Sequence, residues 1–153
     1  MAKIDLDKLK DQLIEHEGLR LKPYRCPGGY WTIGVGRNLE GKGITCEEAV
    51  ALFKNGIKKS QANMLLENDI DECIVDLKTI FPNFKRLKEG RQRALIDMRF
   101  NLGPSRFRGF KKMIAALHRR DYSTAAREML DSRWASQVGR RARRLAKMMK
   151  EGM

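Results

Sequence analysis

The sequence predicts an α+β fold that is mainly helical, with a small β-hairpin or sheet near the N-terminus. A length of 153 residues, of which 42% are hydrophobic, suits one compact domain. Strand-forming residues and a Pro-Gly-Gly turn are concentrated between residues 19 and 36. Elsewhere apolar residues recur at helical spacing, without internal repeats or low-complexity linkers. Together these three observations indicate the α+β class.

The first predicted element is an amphipathic helix. Its apolar residues recur at helical spacing from Leu6 to Leu13, and Gly18 is a natural helix stop. We therefore expect this helix to end near Glu17.

A β-hairpin is expected next. Tyr24 lies before the turn sequence Pro27-Gly28-Gly29, and the aromatic and β-branched segment 30–35 lies after it. A third short strand is expected before Gly43.

Helical signals recur from residue 45 to the end of the sequence. Thr45 lies three residues before Glu48, which is the spacing of a capping box. Pro82 interrupts the helical pattern, and Gly103-Pro104 should close a buried central helix. The predicted helices cover residues 45–53, 60–80, 91–102, 109–118, 124–130 and 138–150.

The chain is strongly basic, with 32 Lys and Arg against 19 Asp and Glu and a formal net charge of +13. Such a surface attracts nucleic acids, acidic cell-wall polymers and anionic lipid surfaces, although it can also serve solubility alone. The sequence contains no run of about eighteen apolar residues, which a membrane-spanning helix would need. Its first residues lack the continuous apolar stretch of a signal peptide, so we expect synthesis and folding in a cytosol.

The cysteines and histidines give no indication of a metal site. Cys26, Cys46 and Cys73 have no metal-ligand spacing and suit a reducing compartment, with Cys46 and Cys73 expected to be buried free thiols. His16 and His118 have no partner at metal-ligand spacing. We predict no metal or cofactor, and a monomer is the expected state.

The most informative stretch runs from Glu15 to Arg37. It contains Glu17, then Cys26 after eight intervening residues, then Thr32 after five more. With the neighbouring Glu-Gly-Leu-Arg-Leu-Lys and Thr-Ile-Gly-x-Gly segments, this pattern closely resembles the signature of phage T4-type lysozymes, glycoside hydrolase family 24. The second signature position in that family is Asp or Cys. Further similar segments at 93–98, 109–110, 132–134 and 141–142 extend the resemblance over most of the chain.

The resemblance implies a single domain, 1–153, with two lobes and a glycan cleft between them. An α+β lobe near 14–60 and a helical lobe of 75–153 plus 1–13 would be joined by a helix near 60–80. The implied substrate is the β-1,4 bond between N-acetylmuramic acid and N-acetylglucosamine in bacterial peptidoglycan. The implied biological role is phage lysis, with the enzyme held in the host cytoplasm until a separate holin gives it access to the cell wall and periplasm.

Glu17 is the predicted general acid. A carboxylic acid protonates a leaving glycosidic oxygen near neutral pH only if its pKa is raised. At a helix C-terminus, Glu17 would face the negative end of the helix dipole, which favours its protonated form. The competing interpretation is an ordinary exposed glutamate that pairs with Arg20. The surrounding signature favours the catalytic role.

The other two signature residues leave alternatives open. Cys26 stands where many members carry Asp, and a thiol with an unperturbed pKa of about 8.5 is only a few per cent ionised at pH 7. A thiolate would need help from Arg25, Arg37 or a backbone N–H. Cys26 could act as base or nucleophile, or only pack at the turn. Thr32 could orient a water on the ring face opposite Glu17, or be only a good strand former.

Two ionic contacts are also suggested. Arg141 matches a family arginine close to the catalytic glutamate, so a Glu17–Arg141 pair is expected, either lowering the glutamate pKa or stabilising the architecture. Arg37 replaces a common histidine, and Asp69 is its expected partner in a pair that is less sensitive to pH than His–Asp. The predicted substrate-binding residues are Arg141, Tyr30, Asn101, Phe100 and Ser132.

The last predicted helix is basic on one side and apolar on the other. Its charged face could contact anionic wall polymers or outer-membrane surfaces, or simply be solvated. It lacks the fold motif or interleaved aromatic residues that nucleic-acid recognition usually shows, so no specific nucleic acid is predicted. The rival functions are a polyanion-binding module and a lysozyme relative that binds glycan without cleaving it.

Overall fold

A computed structural model describes residues 3–27, 29–40 and 46–153. Within these ranges the chain forms eight α-helices and one three-stranded antiparallel sheet. The predicted α+β class with a mainly helical chain is confirmed. The chain divides into two compact units, which we call the sheet unit (Lys10–Ile70) and the helical unit (the described part of Met1–Leu9 with Asp71–Met153). The assignment of both to one two-lobed domain stays a prediction.

The sheet unit begins within helix α1 and ends within helix α3. Its strands lie in the order β1-β2-β3, and both pairings are antiparallel. The predicted first helix, the hairpin and the third short strand are confirmed, whereas the capping box predicted at Thr45 lies outside the described residues. The elements are α1 (Leu6–Glu17), β1 (Arg20–Arg25), β2 (Trp31–Gly34), β3 (Arg37–Asn38), α2 (Cys46–Asn55) and α3 (Lys59–Ile80).

The hydrophobic core of the sheet unit joins α1 and α3 to the sheet. Leu13, Ile33, Leu66 and Ile70 are all at most 2% exposed. Gly56, after α2, has a positive φ of 69°, and a Cβ atom there would lie only 2.4 Å from the carbonyl oxygen of Leu21. A glycine is therefore needed where the end of α2 passes over β1.

The helical unit contains the rest of α3 and five further helices. Its core is formed by large side chains from several of them, and Phe84, Leu95, Phe107 and Met113 are fully buried. The predicted interruption at Pro82 is confirmed, and a 3₁₀ turn (Phe84–Arg86) follows it. The helices are α4 (Glu89–Arg108), α5 (Lys111–His118), α6 (Tyr122–Leu130), α7 (Arg133–Val138) and α8 (Arg140–Glu151).

Two sequence predictions in this unit were incomplete. Gly103, with φ 79° and ψ 170°, does break the helical geometry, but α4 resumes at once and continues to Arg108. Pro104 is tolerated because it occupies the first turn of this continuation, where its missing N–H has no helical partner to lose. Helix α7 was not predicted, and its N-cap is Ser132, whose hydroxyl accepts a hydrogen bond from the Ala135 N–H at 3.1 Å.

Helix α8 is amphipathic, as predicted, and its apolar side is buried. Leu145 and Met149 are fully buried, whereas the basic residues Arg143, Lys147 and Lys150 are exposed. The Arg91 guanidinium donates hydrogen bonds to the carbonyl oxygens of Met149 (2.7 Å) and Lys150 (2.9 Å). These bonds satisfy carbonyl groups that have no partner within the helix, so Arg91 stabilises the C-terminal end of α8.

A carboxylate on α3 neutralises two arginines of α4. The Asp76 side chain accepts a hydrogen bond from Arg99 at 2.6 Å and also bonds to Arg108. Arg99 is 6% exposed, and one of its terminal nitrogens lies 3.8 Å from the sulfur of Cys73, which is buried as predicted. The hydrogen bonds from Arg108 and then Arg99 hold the pKa of Asp76 below its usual range.

We predict that Asp76→Asn lowers the free energy of unfolding by about 3 kcal/mol at pH 7, because it leaves the buried Arg99 without its main counterion. A carboxyl whose pKa is lowered by folding contributes stability that is complete above its unfolded pKa of about 4 and is lost as the pH falls through the folded value. The difference between wild type and variant should therefore be constant above about pH 5 and shrink below about pH 4.

Denaturant unfolding across this pH range measures the effect. Asp71→Asn, which changes an exposed carboxylate of the same helix, is the matched control. A difference that did not shrink at low pH would contradict the electrostatic explanation.

Candidate active site

Glu17 is the last residue of α1, as the sequence predicted. Gly18 ends the helix with a φ of 80°, and its N–H donates to the carbonyl oxygen of Ile14 at 2.8 Å. The Glu17 side chain is half-buried. A Cβ atom built on Gly36 would lie 3.1 Å from both the carboxyl carbon and one carboxyl oxygen of Glu17. The carboxyl group thus packs against the backbone of the turn between β2 and β3.

Cys26 lies in the turn of the β1–β2 hairpin. Its N–H donates to the carbonyl oxygen of Tyr30 at 2.9 Å, and its own carbonyl oxygen accepts from the Gly29 N–H at 2.8 Å. Gly29 has a φ of 86°, a conformation that favours glycine. The Cys26 side chain is half-buried. Backbone hydrogen bonds therefore define the position of this residue.

Thr32 lies on β2 directly opposite Tyr24 of β1. Its side chain is buried, with 3% exposure, and its hydroxyl donates to the carbonyl oxygen of Tyr30 at 2.9 Å. Since a hydroxyl has one proton and two lone pairs, this bond leaves the oxygen able to accept a hydrogen bond. A water could be oriented by such an acceptor.

Tyr24 connects the predicted catalytic residues, and sequence reasoning missed it. Burial, and then the negative charge of Glu17, raise the pKa of Tyr24, and Cys26 adds to this increase. The positive charge of Arg20 and a backbone hydrogen bond from Gly36 act in the opposite direction. Tyr24 therefore lies within electrostatic range of both Glu17 and Cys26.

The sequence contained one signal for Tyr24. It lies two residues before Cys26, so the two side chains would share one face if the strand continued through position 26. Its other neighbours depend on the pairing of β1 with β2 and on the path of the chain at Gly36, which are not local properties.

The predicted contact between Arg37 and Asp69 is confirmed. The distance between a terminal nitrogen of Arg37 and a carboxylate oxygen of Asp69 is 2.6 Å, and both side chains are mostly buried. The pair connects β3 to α3 within the sheet unit.

Both arginines considered as helpers of a Cys26 thiolate have other partners. Arg37 pairs with Asp69, and the Arg25 guanidinium stacks on the Trp31 ring at 4.5 Å. Arg25 also donates to the carbonyl oxygen of Gly29 at 2.9 Å. These contacts stabilise the hairpin and its turn.

The predicted substrate-binding residues are divided between the two units. Tyr30 is 55% exposed in the sheet unit, close to Cys26 in the turn. The other four lie in the helical unit, where Phe100 is half-buried on α4. Asn101 accepts a hydrogen bond from the indole N–H of Trp134 at 2.7 Å, and the Ser132 hydroxyl donates to the carbonyl oxygen of Met129 at 2.7 Å.

Arg141, also in the helical unit, donates to the carboxylate of the fully buried Asp97 at 2.8 Å. The Glu17–Arg141 pair stays a prediction. Within the part of the chain that the structure describes, no group of His, Cys, Asp or Glu side chains is suited to holding a metal ion.

Comparisons with known proteins agree on one family. Residues 14–150 match the family model described as phage lysozyme. The chain is 27% identical to probable T4-type lysozyme 2 of Dictyostelium discoideum, over 96% of both chains. It is 32% identical to the endolysin of Acyrthosiphon pisum secondary endosymbiont phage 1, over 82% of this chain and 77% of that one. It is also 28% identical to the pre-baseplate central spike protein Gp5 of Enterobacteria phage T4, of which it covers 28%.

We predict that Glu17→Gln lowers the pKa of Tyr24 toward 10, because the variant removes a negative charge that raises it while leaving the burial of Tyr24 in place. The near-ultraviolet absorbance of the phenolate measures this titration. The chain has three tyrosines, so Tyr24→Phe identifies the signal of Tyr24. Glu15→Gln, on the exposed side of α1, is the control and should leave the curve unchanged. An identical Tyr24 titration in wild type and Glu17→Gln would exclude the electrostatic contact.

Proposed function

The chain belongs to the phage lysozyme family and is a glycoside hydrolase of the lysozyme type, and we propose that it uses Glu17 as its general acid. The proposed substrate bond is the β-1,4 linkage between N-acetylmuramic acid and N-acetylglucosamine in bacterial peptidoglycan. The observation that supports this proposal most strongly is the half-buried Glu17 carboxyl, packed against Gly36 and within electrostatic range of Tyr24. The membership of glycoside hydrolase family 24 is part of the same proposal.

In the proposed mechanism Glu17 donates a proton to the glycosidic oxygen as the bond to the sugar breaks. General acid catalysis of this kind typically contributes a hundred-fold to ten-thousand-fold, by order of magnitude. The carboxyl packs against Gly36, where an added Cβ atom would lie only 3.1 Å from it, so the backbone of this turn bounds one side of the acid. An acid held on one side is partly oriented before the substrate binds, which reduces the entropy cost of proton transfer.

Cys26 and Thr32 are proposed to serve the second half of the reaction. In one form Cys26 takes a proton from a water that the Thr32 oxygen orients, and this water attacks the sugar on the face opposite Glu17. In the other form the Cys26 sulfur attacks the sugar, and water then hydrolyses the intermediate. The acceptor capacity of the Thr32 hydroxyl supports the first form.

The proposed biological role is lysis of the host cell during phage infection. One relative is named endolysin, and a second is named SAR-endolysin. The proposed route is storage in the host cytoplasm and access to the cell wall through a holin. Among the residues described by the structure, no helix is both long and apolar enough to span a membrane.

A lysozyme relative that binds glycan without cleaving it is the nearest rival. The argument for this rival is the presence of Cys26, because a thiol is a weaker candidate than a carboxylate for the second catalytic role. Turnover of peptidoglycan by the purified protein distinguishes the two functions.

We predict that Glu17→Gln lowers the rate of reducing-sugar release from purified peptidoglycan by about a hundred-fold to ten-thousand-fold, because an amide cannot supply the proton. Glu15→Gln is the matched control, since it removes a carboxylate from the exposed side of the same helix and should retain activity. Circular dichroism checks that both variants fold. A folded Glu17→Gln variant with full activity would remove Glu17 from the proposed mechanism, and a folded wild type without activity would favour the glycan-binding rival.

We further predict that Cys26→Ser lowers the turnover number by about a hundred-fold or more, whereas Cys26→Asp retains activity. Serine is nearly isosteric with cysteine but remains protonated at neutral pH, whereas aspartate is ionised and can accept a proton from water. If Cys26→Ser were as active as wild type, Cys26 would only pack in the turn, and Thr32 would be the main residue left to position water.

A further inference from the structure

A cavity of about 290 Å³ lies within the helical unit, among the 3₁₀ turn, the end of α5 and the start of α6. None of the residues proposed for catalysis or substrate binding lines it. Its apolar wall is formed by Phe81, Leu87 and Leu117, and its basic rim by Arg86 and Arg120, with His118 also in the lining. The cavity therefore combines an apolar surface with basic groups.

The apolar wall has a defined geometry. Phe81 and Leu117 are 6% and 5% exposed, and the Phe81 ring lies 5.4 Å from the His118 ring at an interplanar angle of 48°. Tyr122, which also lines the cavity, stacks against the Arg91 guanidinium at 3.7 Å. Because Arg91 is itself hydrogen-bonded to the end of α8, the position of the Tyr122 ring is well determined.

Among the residues that the structure describes, no carboxylate pairs with the two arginines at the rim. No acidic side chain lines the cavity. Across the described parts of the chain, neither Arg86 nor Arg120 takes part in an ion pair. The acid next to Arg120 in sequence, Asp121, caps α6 by accepting hydrogen bonds from the Thr124 N–H and hydroxyl, at 3.0 and 2.6 Å. The rim is thus a place where an external anion gains favourable electrostatic energy.

Arg120 also has an unusual backbone conformation. Its φ of 60° lies in the left-handed region that glycine and asparagine prefer, and it is the one non-glycine residue with positive φ in the described part of the chain. The strained position places a long cationic side chain at the edge of the cavity. Glycine at this position would relieve the strain and remove the charge.

We propose that this cavity binds a small amphiphilic anion, which carries one carboxylate, phosphate or sulfonate group on a compact apolar or aromatic body. The apolar body would contact Phe81 and Leu117, and the anionic group would pair with Arg86 and Arg120. A volume near the lower end of the usual range for ligand sites restricts the body to about one or two rings. This binding is independent of the proposed hydrolytic site.

The experiment is an NMR titration with naphthalene-1-sulfonate at low ionic strength. Inorganic sulfate lacks the apolar body and 1-naphthalenemethanol lacks the negative charge, so these two ligands serve as partial probes. The chain has two histidines, His16 and His118, so its imidazole resonances report separately on the sheet unit and on the cavity. His118→Gln assigns the two signals. We expect naphthalene-1-sulfonate to shift the His118 signals to saturation without moving those of His16, and each partial probe to bind at least about tenfold more weakly.

Arg86→Gln combined with Arg120→Gly should weaken the affinity for naphthalene-1-sulfonate by about tenfold or more, because it removes both cations that pair with the sulfonate. Lys111→Gln combined with Lys112→Gln removes two exposed charges of α5 that do not line the cavity, and should leave the affinity unchanged. Circular dichroism checks the folding of both double variants. The titration needs no hydrolytic activity, so its outcome is separate from that of the proposed function.

Three outcomes would overturn the proposal. The His118 signals could fail to saturate or move together with those of His16, which would indicate non-specific binding. Sulfate could bind as tightly as naphthalene-1-sulfonate, which would show that the apolar wall contributes nothing. The lysine double variant could lose as much affinity as the arginine double variant, which would assign the attraction to the overall positive charge.

Discussion

The close approach of the Glu17 carboxyl to the backbone of Gly36 is the contact on which the arrangement around the proposed acid depends. The backbone φ of 66° favours glycine there, and a Cβ atom would lie 3.1 Å from the carboxyl, so the Glu17 side chain would have to shift to accept it. Because α1 ends at Glu17, this contact places the turn between β2 and β3 directly against the helix end. The same turn supplies the backbone hydrogen bond to Tyr24. The geometry around the proposed acid therefore follows from one backbone-to-side-chain contact.

Arginines illustrate a second physical rule, since a cation removed from water needs a specific partner. Arg141 has the fully buried Asp97, Arg99 has Asp76, and Arg91 has two carbonyl groups at the end of α8. These paired arginines stabilise the fold and add little to the electrostatic field outside the molecule. The net charge of +13 alone consequently identifies no ligand, whereas the positions of unpaired cations, such as those at the cavity rim, do.

Sequence patterns predicted the elements that are determined by residues close together in the chain. The end of α1 at Gly18 and the hairpin followed from apolar spacing and turn residues. The Arg37–Asp69 pair followed from the family resemblance. Helix α7 was missed because its six residues are too few to show a helical period, and because its cap at Ser132 was interpreted as a substrate contact. The role of Tyr24 depends on strand pairing and on a distant glycine, so its spacing from Cys26 was the one local signal and did not reveal its contacts with Glu17 and Gly36.

The side chain at position 26 can differ without changing the backbone that carries it. The turn there is defined by backbone hydrogen bonds between Cys26, Gly29 and Tyr30, and by the stacking of Arg25 on Trp31. None of these interactions requires a particular side chain at position 26, so the same backbone can present a thiol or a carboxylate. A carboxylate is ionised at neutral pH without assistance, whereas a thiol depends on its surroundings. The residue at this position therefore determines how the second half of the proposed reaction proceeds, while the hairpin determines where it takes place.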